Sequence, residues 1–225
     1  MRASIIIPAL NEAECLQGVL QGISIADVHE IILVDGGSSD NTVKIAANNG
    51  AQVLIEPRKG YGLACEAGIK HASGDVLVFM DADGANDPAQ LKELIEPLIT
   101  RGVDLVLGSR LAGTIVSGAM PWHQRFGNWL SARLIHFLYG FPLTDLSPFR
   151  AVNRERLLEI KIEDRTYGWP TEMLVKAILQ GWHIEEIPVN YYPRTGGKSK
   201  ISGTVRGTFF ATWHIVSVII GNRLK

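Results

Sequence analysis

Short runs of apolar residues alternate with amphipathic segments over roughly the first 110 residues of the chain. The runs are rich in β-branched residues and end at proline, glycine or acidic residues, which is typical of strands. Because they are apolar throughout, they predict strands buried on both faces, as in a parallel sheet with helices on each side. Five such strands are predicted, at residues 4–7, 30–34, 52–55, 76–80 and 103–107.

Helical patterns follow these strands and dominate the second half of the chain. We expect early helices to begin at Asn11, at Ser39 or Asp40, after the glycine-rich turn 58–62 and at Asp87. Further helices are predicted at 122–141, from about Asn153, at 168–179 and at 201–224, with strands at 184–187 and 189–192. Residues 143–150 are predicted to form a loop.

Four of the early strands end in polar, glycine or acidic residues. Ligands of open α/β sheets bind just outside the carboxyl ends of the strands, where these residues would meet. We therefore predict a binding site at this edge. Its members are Asn11 and Glu12, Asp35 and Ser38, Arg58 and Gly60, and Asp81 and Asp83.

The last of these pairs, Asp81 and Asp83, follows a buried apolar run. Two aspartates one residue apart can face one hard cation such as Mg²⁺ or Mn²⁺, which takes oxygen ligands and often shares them with a diphosphate. The alternative is that the two side chains cap the next helix or form a turn.

Composition limits the possible classes. The chain has 225 residues, 46% of them hydrophobic, which suits one large α/β domain or a domain plus an appendage. A net charge of −1 gives no indication of nucleic-acid binding. Cys15 and Cys65 have no ligand-like spacing and are predicted to be core residues in a reducing compartment. We recognise no signal peptide, and no apolar stretch reaches the ~20 residues that span a bilayer.

Residues 122–141 and 201–225 mix aromatic and apolar side chains with Arg, Lys and His. This mixture suits a lipid–water boundary, and the alternative is that both helices pack on the domain or on a second subunit. Between them, the basic segment 194–200 has the composition of a loop that grips phosphate or of an ordinary solvated loop.

Three segments together resemble family 2 glycosyltransferases of the GT-A fold. They are Ile-Ile-Ile-Pro-Ala-Leu-Asn-Glu at 5–12, Val-Asp-Gly-Gly-Ser-Ser-Asp-Asn-Thr at 34–42 and Asp-Ala-Asp at 81–83. Residues 58–62, 108–110, 145–150 and 194–200 resemble dolichol-phosphate mannose synthases and related bacterial polyprenyl-phosphate glycosyltransferases. The resemblance implies an α/β, Rossmann-like, mostly parallel sheet with helices on both faces, plus C-terminal interfacial helices. We expect a GT-A domain at 1–200, with a nucleotide-sugar half (1–110) and an acceptor half (111–200), followed by an amphipathic helix at 201–225.

The resemblance also implies roles for individual residues. Asp81 and Asp83 would hold the metal, Mg²⁺ or Mn²⁺. Asp145 would orient the acceptor arginines or, with a hydroxyl acceptor, act as a base, and we favour the first role. Asp83, Asp145 and Arg125 are the expected catalytic residues. The nucleotide sugar would be bound by Pro8, Ala9, Glu12, Asp35, Gly60, Asp81, Ala82, Arg194 and Lys200, and the acceptor phosphate by Arg110, Arg125 and Ser147.

Two positions depart from the family pattern. Ala85 replaces a polar residue, often Gln, that serves as a further metal ligand, so we expect either that Asn86 or water substitutes or that the metal is held less tightly. Gly36 follows Asp35 where many members carry a second acid, which leaves base specificity open.

The implied activity is inverting transfer of a hexose, mannose or glucose, from a GDP- or UDP-linked sugar to a polyprenyl or dolichyl phosphate. The alternatives are a soluble or saccharide hydroxyl acceptor, a nucleotidyltransferase, or a non-catalytic nucleotide-sugar-binding subunit. Expected partners are the nucleotide sugar, the lipid phosphate, a membrane surface, and either a second copy or a membrane protein, but no nucleic acid. We expect the protein in the cytoplasm, peripheral on the cytoplasmic face of a membrane.

Overall fold

The computed structural model describes residues 1–24, 28–197 and 205–224. Its strands form one sheet in the order β3-β2-β1-β4-β6-β5-β7. The strands are β1 (Ala3–Ala9), β2 (Glu30–Asp35), β3 (Gln52–Ile55), β4 (Val76–Phe79), β5 (Leu105–Ser109), β6 (Arg150–Asn153) and β7 (Ile184–Pro188). The five strands of the first half lie where the pattern predicted them, within about two residues at each end.

One strand, β6, runs antiparallel to both of its neighbours. It lies between β4 and β5, and Arg150 pairs with Phe79 on one side and Leu107 on the other. All other strand pairs are parallel. The sequence predicted a loop at 143–150 and no strand at 150–153, which was wrong, because four residues that begin with arginine do not resemble a central strand. The helix predicted from about Asn153 is present as Arg154–Glu159. Residues 189–192 were predicted as a strand, but they contribute only isolated bridges, at Tyr191.

Helices cover both faces of the sheet, as predicted. Alternate residues of the strands point to opposite faces, so Ile5 and Ile7 pack in one layer and Ile6 packs in the other. One layer contains residues of α1, α2 and α4, and the other contains residues of α3, α5, α6, α7 and α8. The helices are α1 (Ala13–Gly22), α2 (Thr42–Asn48), α3 (Tyr61–His71), α4 (Leu91–Thr100), α5 (Trp122–Tyr139), α6 (Arg154–Glu159), α7 (Trp169–Leu179) and α8 (Val205–Arg223).

The loops after β1 and β2 are tied together at the carboxyl edge of the sheet. The backbone N–H of Asn11 donates to Ser38 Oγ at 2.8 Å, and the N–H of Ser39 donates to Asn11 Oδ1 at 2.8 Å. Asn11 has φ 50°, a left-handed conformation that asparagine tolerates better than most residues. The chain therefore turns at Asn11, and α1 begins at Ala13 rather than at Asn11 as predicted.

The last helix, α8, packs against α5 and α7. His123 Nδ1 of α5 lies 2.9 Å from Thr208 Oγ1 of α8, and the Tyr139 hydroxyl donates to the Ile219 carbonyl at 2.5 Å. Gly127 permits the close approach, because a Cβ there would collide with Thr212. The predicted domain boundary at 200/201 lies outside the described residues. None of the described helices combines the length and hydropathy that crossing a membrane requires.

Candidate active site at the carboxyl edge of the sheet

A cavity of about 490 Å³ opens at the carboxyl edge of the sheet and continues between α5, α7 and α8. The ends of β1 to β4 line its first half, and these are the strand ends that were predicted to meet. These lining residues include Pro8, Ala9, Glu12, Gly36, Glu56, Gly60, Asp81, Ala82 and Asp83. Its second half is lined by helices, through Gln124, Asn128 and Ser131 of α5, Pro170 and Thr171 of α7, and Thr208, Thr212 and Ile215 of α8.

Carboxylates cluster at the centre of this cavity. Asp83 Oδ1 accepts a hydrogen bond of 3.0 Å from the N–H of Ala85, so the Asp83 carboxylate is held by its own turn. Asp81 is desolvated and faces both Asp83 and Glu12. Burial, and then the charge of Asp83, raise the pKa of Asp81 to about 7. Such a cluster needs cations to remain ionised.

Arg194 is one cation that the fold supplies to this cluster. Its Nη2 donates to Glu12 Oε2 at 2.6 Å, and its Nη1 donates to Asp83 Oδ2 at 2.9 Å. The N–H of Gly197 donates to Glu14 Oε2 at 2.8 Å, which fixes the segment after Arg194 against α1. The late basic segment therefore reaches the carboxyl edge of the sheet. Lys198 and Lys200 lie outside the described residues.

A buried ion pair, Arg110–Asp145, contributes Arg110 to the lining of the cavity. Arg110 Nε and Nη2 donate to the two oxygens of Asp145 at 2.7 and 2.8 Å, and the N–H of Arg110 adds a third bond of 2.8 Å. Asp145 is 0% exposed and also accepts a hydrogen bond from Asn128. Burial would raise the pKa of Asp145, but the charge and hydrogen bonds of Arg110 outweigh it and lower the pKa. Both oxygens are occupied, so the contacts favour the orienting role over the base role.

Four of the predicted catalytic and binding residues do not line the cavity formed by the described residues. One is Asp145, which contacts the lining residue Arg110. Arg125 is exposed on α5. Ser147 is buried, and its Oγ accepts from the N–H of Phe149 at 3.2 Å. Asp35 is buried, and its Oδ2 accepts from the N–H groups of Gly37 and Ser38 at 2.9 and 2.8 Å. Asp35 thus shapes the turn whose Gly36 faces the cavity.

Gly60 lines the cavity, yet its immediate contact is with the protein. A Cβ at this position, where φ is 155°, would collide with the carbonyl oxygen of Arg165. The glycine therefore lets the segment around Arg165 pack against the start of α3. Gly60 was predicted to bind the nucleotide sugar, and the glycine-rich turn 58–62 gave no sign of this packing requirement.

Polar side chains of α5 that face the cavity were not among the predicted site residues. Gln124, Asn128 and Ser131 lie on one side of the helix, at spacings of four and three residues. Asn128 donates to Asp145 and accepts from the N–H of Leu146 at 3.1 Å, so it links α5 to the loop before β6. Tyr191 was also missed, and its ring centroid lies 5.0 Å from the Arg110 guanidinium carbon. The spacing of these polar residues along α5 could have indicated a common polar face, but the aromatic residues between them obscured the pattern.

Comparison with known proteins identifies the family. The sequence profile described as glycosyl transferase family 2 matches residues 4–160, which include nearly all of β1, the strands β2 to β6, and both Arg110 and Asp145. The chain belongs to this family. It is a glycosyltransferase with the GT-A fold, and the nucleotidyltransferase alternative has no support.

Relatives cover the chain almost completely. A glycosyltransferase of Mycobacterium tuberculosis, itself uncharacterized, is 39% identical over 218 residues, which are 95% of this chain and 97% of that protein. A dolichyl-phosphate hexose transferase of Haloferax volcanii is 33% identical over 225 residues, with 99% and 96% of the two chains covered.

Solved structures show the same architecture. Glucosyl-3-phosphoglycerate synthase from Mycobacterium tuberculosis, in complex with Mn²⁺, UDP-glucose and phosphoglyceric acid, superposes with a TM-score of 0.80. It is 25% identical, and the match covers 99% of this chain and 79% of that one.

We predict that Asp145→Asn lowers the free energy of unfolding by about 3 kcal/mol at pH 7, because it leaves Arg110 buried without a counter-charge. The control is Asp104→Asn, which breaks a pair with half-exposed Arg156 and should cost about 1 kcal/mol or less. Urea denaturation of both variants and of the wild type measures the difference.

The difference in the free energy of unfolding between Asp145→Asn and wild type depends on pH with a defined sign. Because the pKa of Asp145 is lowered in the folded state, its contribution is present above the unfolded pKa of about 3.9 and is lost as the pH falls below it. The gap between Asp145→Asn and wild type should therefore narrow below about pH 4. Equal costs for Asp145→Asn and Asp104→Asn at pH 7 would contradict the pairing.

Proposed function

We propose that the protein transfers a hexose from a nucleoside diphosphate sugar to a polyprenyl phosphate, with a divalent metal at Asp81 and Asp83. One observation carries the proposal: the cavity that begins at the acidic cluster continues between α5 and α8, whose outer faces expose aromatic side chains. The related dolichyl-phosphate hexose transferase supports both the hexose and the lipid phosphate.

The donor would lie along the ends of β1 to β4. Pro8, Ala9 and Gly36 offer backbone and small side chains against which a flat nucleoside can pack. Asp35 would act by holding the turn that presents Gly36, and Gly60 and Ala82 would border the sugar or the diphosphate. Glu12 and Arg194 would meet the diphosphate end, where Arg194 already reaches the carboxylates.

The residues at the acidic cluster fit a divalent cation. Asp81 is desolvated beside like charges, and its raised pKa reports the need for a cation. No group of three or more His, Cys, Asp or Glu side chains able to hold a metal occurs in the described ranges. Asn86 is buried and does not line the cavity. Asp81 and Asp83 would thus hold the ion, with diphosphate and water oxygens as the other ligands, and the ion would neutralise the leaving diphosphate.

The acceptor side of the cavity suits a nucleophile that is already charged. A phosphate monoester has a second pKa near ~6, so it is largely dianionic at neutral pH and needs no general base. Arg110 would orient it, held in place by Asp145, while Arg194 would stabilise the charge that develops on the diphosphate. Direct attack on the anomeric carbon would invert its configuration. Arg125 would contribute only if the acceptor reaches beyond the cavity, and Ser147 would act through the backbone of its loop.

The outer faces of α5 and α8 have the chemistry of a membrane-facing surface. Trp213 and Phe209 are 67% and 65% exposed, although α8 packs firmly on its other side. Arginines lie over neighbouring rings, Arg206 at 5.7 Å from the Phe210 centroid and Arg133 at 5.9 Å from the Trp129 centroid. Aromatic rings beside arginines suit the boundary between lipid tails and anionic head groups.

A second candidate acceptor is a small soluble phosphate. The structural relative glucosyl-3-phosphoglycerate synthase was solved with phosphoglyceric acid, and its fold covers nearly all of this chain. The same Arg110 would serve either phosphate. The exposed aromatic surface favours the lipid.

Release of nucleoside diphosphate tests the function directly. UDP- and GDP-linked glucose and mannose would be offered with Mg²⁺ or Mn²⁺ and with polyprenyl phosphate, phosphoglyceric acid or no acceptor. We expect turnover that depends on both the metal and the lipid phosphate, and a loss of at least about 100-fold in Asp83→Asn.

The matched control for that variant is Asp87→Asn. Asp87 lies outside the cavity lining and caps the turn that precedes α4, a role that asparagine fills equally well. It should keep near-wild-type activity. Turnover with phosphoglyceric acid but not with polyprenyl phosphate would select the second candidate instead.

Membrane binding gives an independent prediction. Phe209→Ser combined with Trp213→Ser should reduce sedimentation with anionic liposomes by at least about fivefold, because two exposed aromatic anchors are lost. Ile99→Ser, an exposed apolar residue on α4 in the layer on the opposite face of the sheet, is the control and should leave binding unchanged. If the full chain does not bind liposomes, the α5 and α8 faces do not form a membrane surface.

A further inference from the structure

Arg150 is a buried cation without an acidic partner. It is 1% exposed, and its guanidinium donates to the backbone oxygens of Ser147 at 2.5 Å and Pro170 at 2.6 Å. Within the described ranges it forms no ion pair, and its Nε has no hydrogen-bond partner. Of the two buried arginines among the described residues, Arg110 forms an ion pair with Asp145, whereas Arg150 forms none and feels the charge of Asp145 only at a distance.

Burying this charge costs folding free energy that an apolar residue filling the same space would not cost. Carbonyl oxygens satisfy N–H donors but carry no net charge, so they do not neutralise Arg150. The nearby carboxylate of Asp145 is already paired with Arg110, so one positive charge stays uncompensated among these three buried groups. Burial lowers the pKa of Arg150 to about 10, and the group is still a cation at neutral pH. Apolar residues of similar size often stabilise a core better than buried charges do.

The position of Arg150 connects this charge with the acceptor half of the cavity. It begins β6, beside Phe79 of β4, which packs in the same layer as α5, α7 and α8. Pro170, one of its two carbonyl partners, lines the cavity, and Ser147, the other, precedes the lining residue Pro148. The guanidinium therefore lies directly behind the wall that an acceptor would touch.

We propose that Arg150 is a positioning residue for an anionic acceptor: its uncompensated charge, behind the wall formed by Pro148 and Pro170, makes this half of the cavity selective for phosphate. It does not touch the acceptor. The inference rests on the proposed function, in that it assumes an acceptor that carries a phosphate monoester, whether lipid or soluble.

Two substitutions separate charge from hydrogen bonding. Arg150→Lys keeps the positive charge but loses the planar, forked set of guanidinium N–H donors. Arg150→Gln keeps an N–H donor but loses the charge. We expect Arg150→Gln to raise the KM for the phosphate acceptor about tenfold and Arg150→Lys to stay within about threefold of wild type, since one buried charge is removed in the first and kept in the second. The KM for the nucleotide sugar should change equally in both. Arg156→Gln, which removes a half-exposed charge, is the control and should change neither constant.

Equal acceptor KM values for Arg150→Lys and Arg150→Gln would overturn the proposal, because a purely structural clamp responds to lost geometry and not to charge. A wild-type protein that uses neither polyprenyl phosphate nor phosphoglyceric acid would overturn the proposed function itself, and this inference with it, before any variant is compared.

A wild-type measurement covers the case in which Arg150→Gln does not fold. The apparent affinity for the acceptor monoester, a dianion, is compared with that for its monomethyl ester, a monoanion, at about 0.05 and 0.5 M salt. A buried charge is screened far less than exposed ones, so the preference for the dianion should persist within about twofold at high salt. A preference that disappears at high salt would place its source in exposed groups and contradict the role of Arg150.

Discussion

The repulsion among Asp81, Asp83 and Glu12 is the constraint on which the site depends. The ends of β1 and β4 bring these carboxylates into one partly desolvated cavity, where burial and the charges of Asp83 and Glu12 raise the pKa of Asp81. The fold supplies one cation through Arg194, which reaches Asp83 and Glu12 from far along the chain. A divalent metal shared with a diphosphate would supply the rest. In the proposed function, the donor binds at this end of the cavity, and a cation neutralises the negative charge that is concentrated there.

The other end of the cavity, where we propose that the acceptor binds, has buried positive charge instead. The insertion of β6 between β4 and β5 places Arg150 behind the cavity wall, and the preceding loop presents Asp145 to Arg110. One arginine is neutralised and oriented, while the other keeps its charge. Because α8 closes this half against α5, the cavity extends from the carboxylates to the two helices that expose aromatic rings. The two ends of the cavity therefore differ in sign, as transfer between a diphosphate leaving group and a phosphate nucleophile would require.

The donor half was predictable from the sequence because its signals are local. Apolar runs fix the parallel strands, and parallel strands place their carboxyl ends at one edge, so Glu12, Asp81 and Asp83 could be brought together without coordinates. The acceptor half depends on contacts between distant segments. The pairing of Arg110 with Asp145 spans 35 residues, and β6 is too short and too polar at its start to be recognised. Arg125 illustrates the difference, since its type suited phosphate but its position on α5 turns it away from the cavity. The reason for Gly60, a close approach of the Arg165 carbonyl, was equally invisible.

Binding of Mn²⁺ to the full chain, followed by the electron paramagnetic resonance signal of the free ion, tests the metal site at Asp81 and Asp83 most directly. Wild type should bind the ion more tightly when UDP or GDP is present, because the diphosphate provides further oxygen ligands and the two affinities are reciprocally linked. Asp81→Asn and Asp83→Asn should each weaken binding by about 100-fold or more, whereas Asp87→Asn should bind like wild type. Equal Mn²⁺ affinity in wild type and in a variant that lacks both Asp81 and Asp83 would contradict the site.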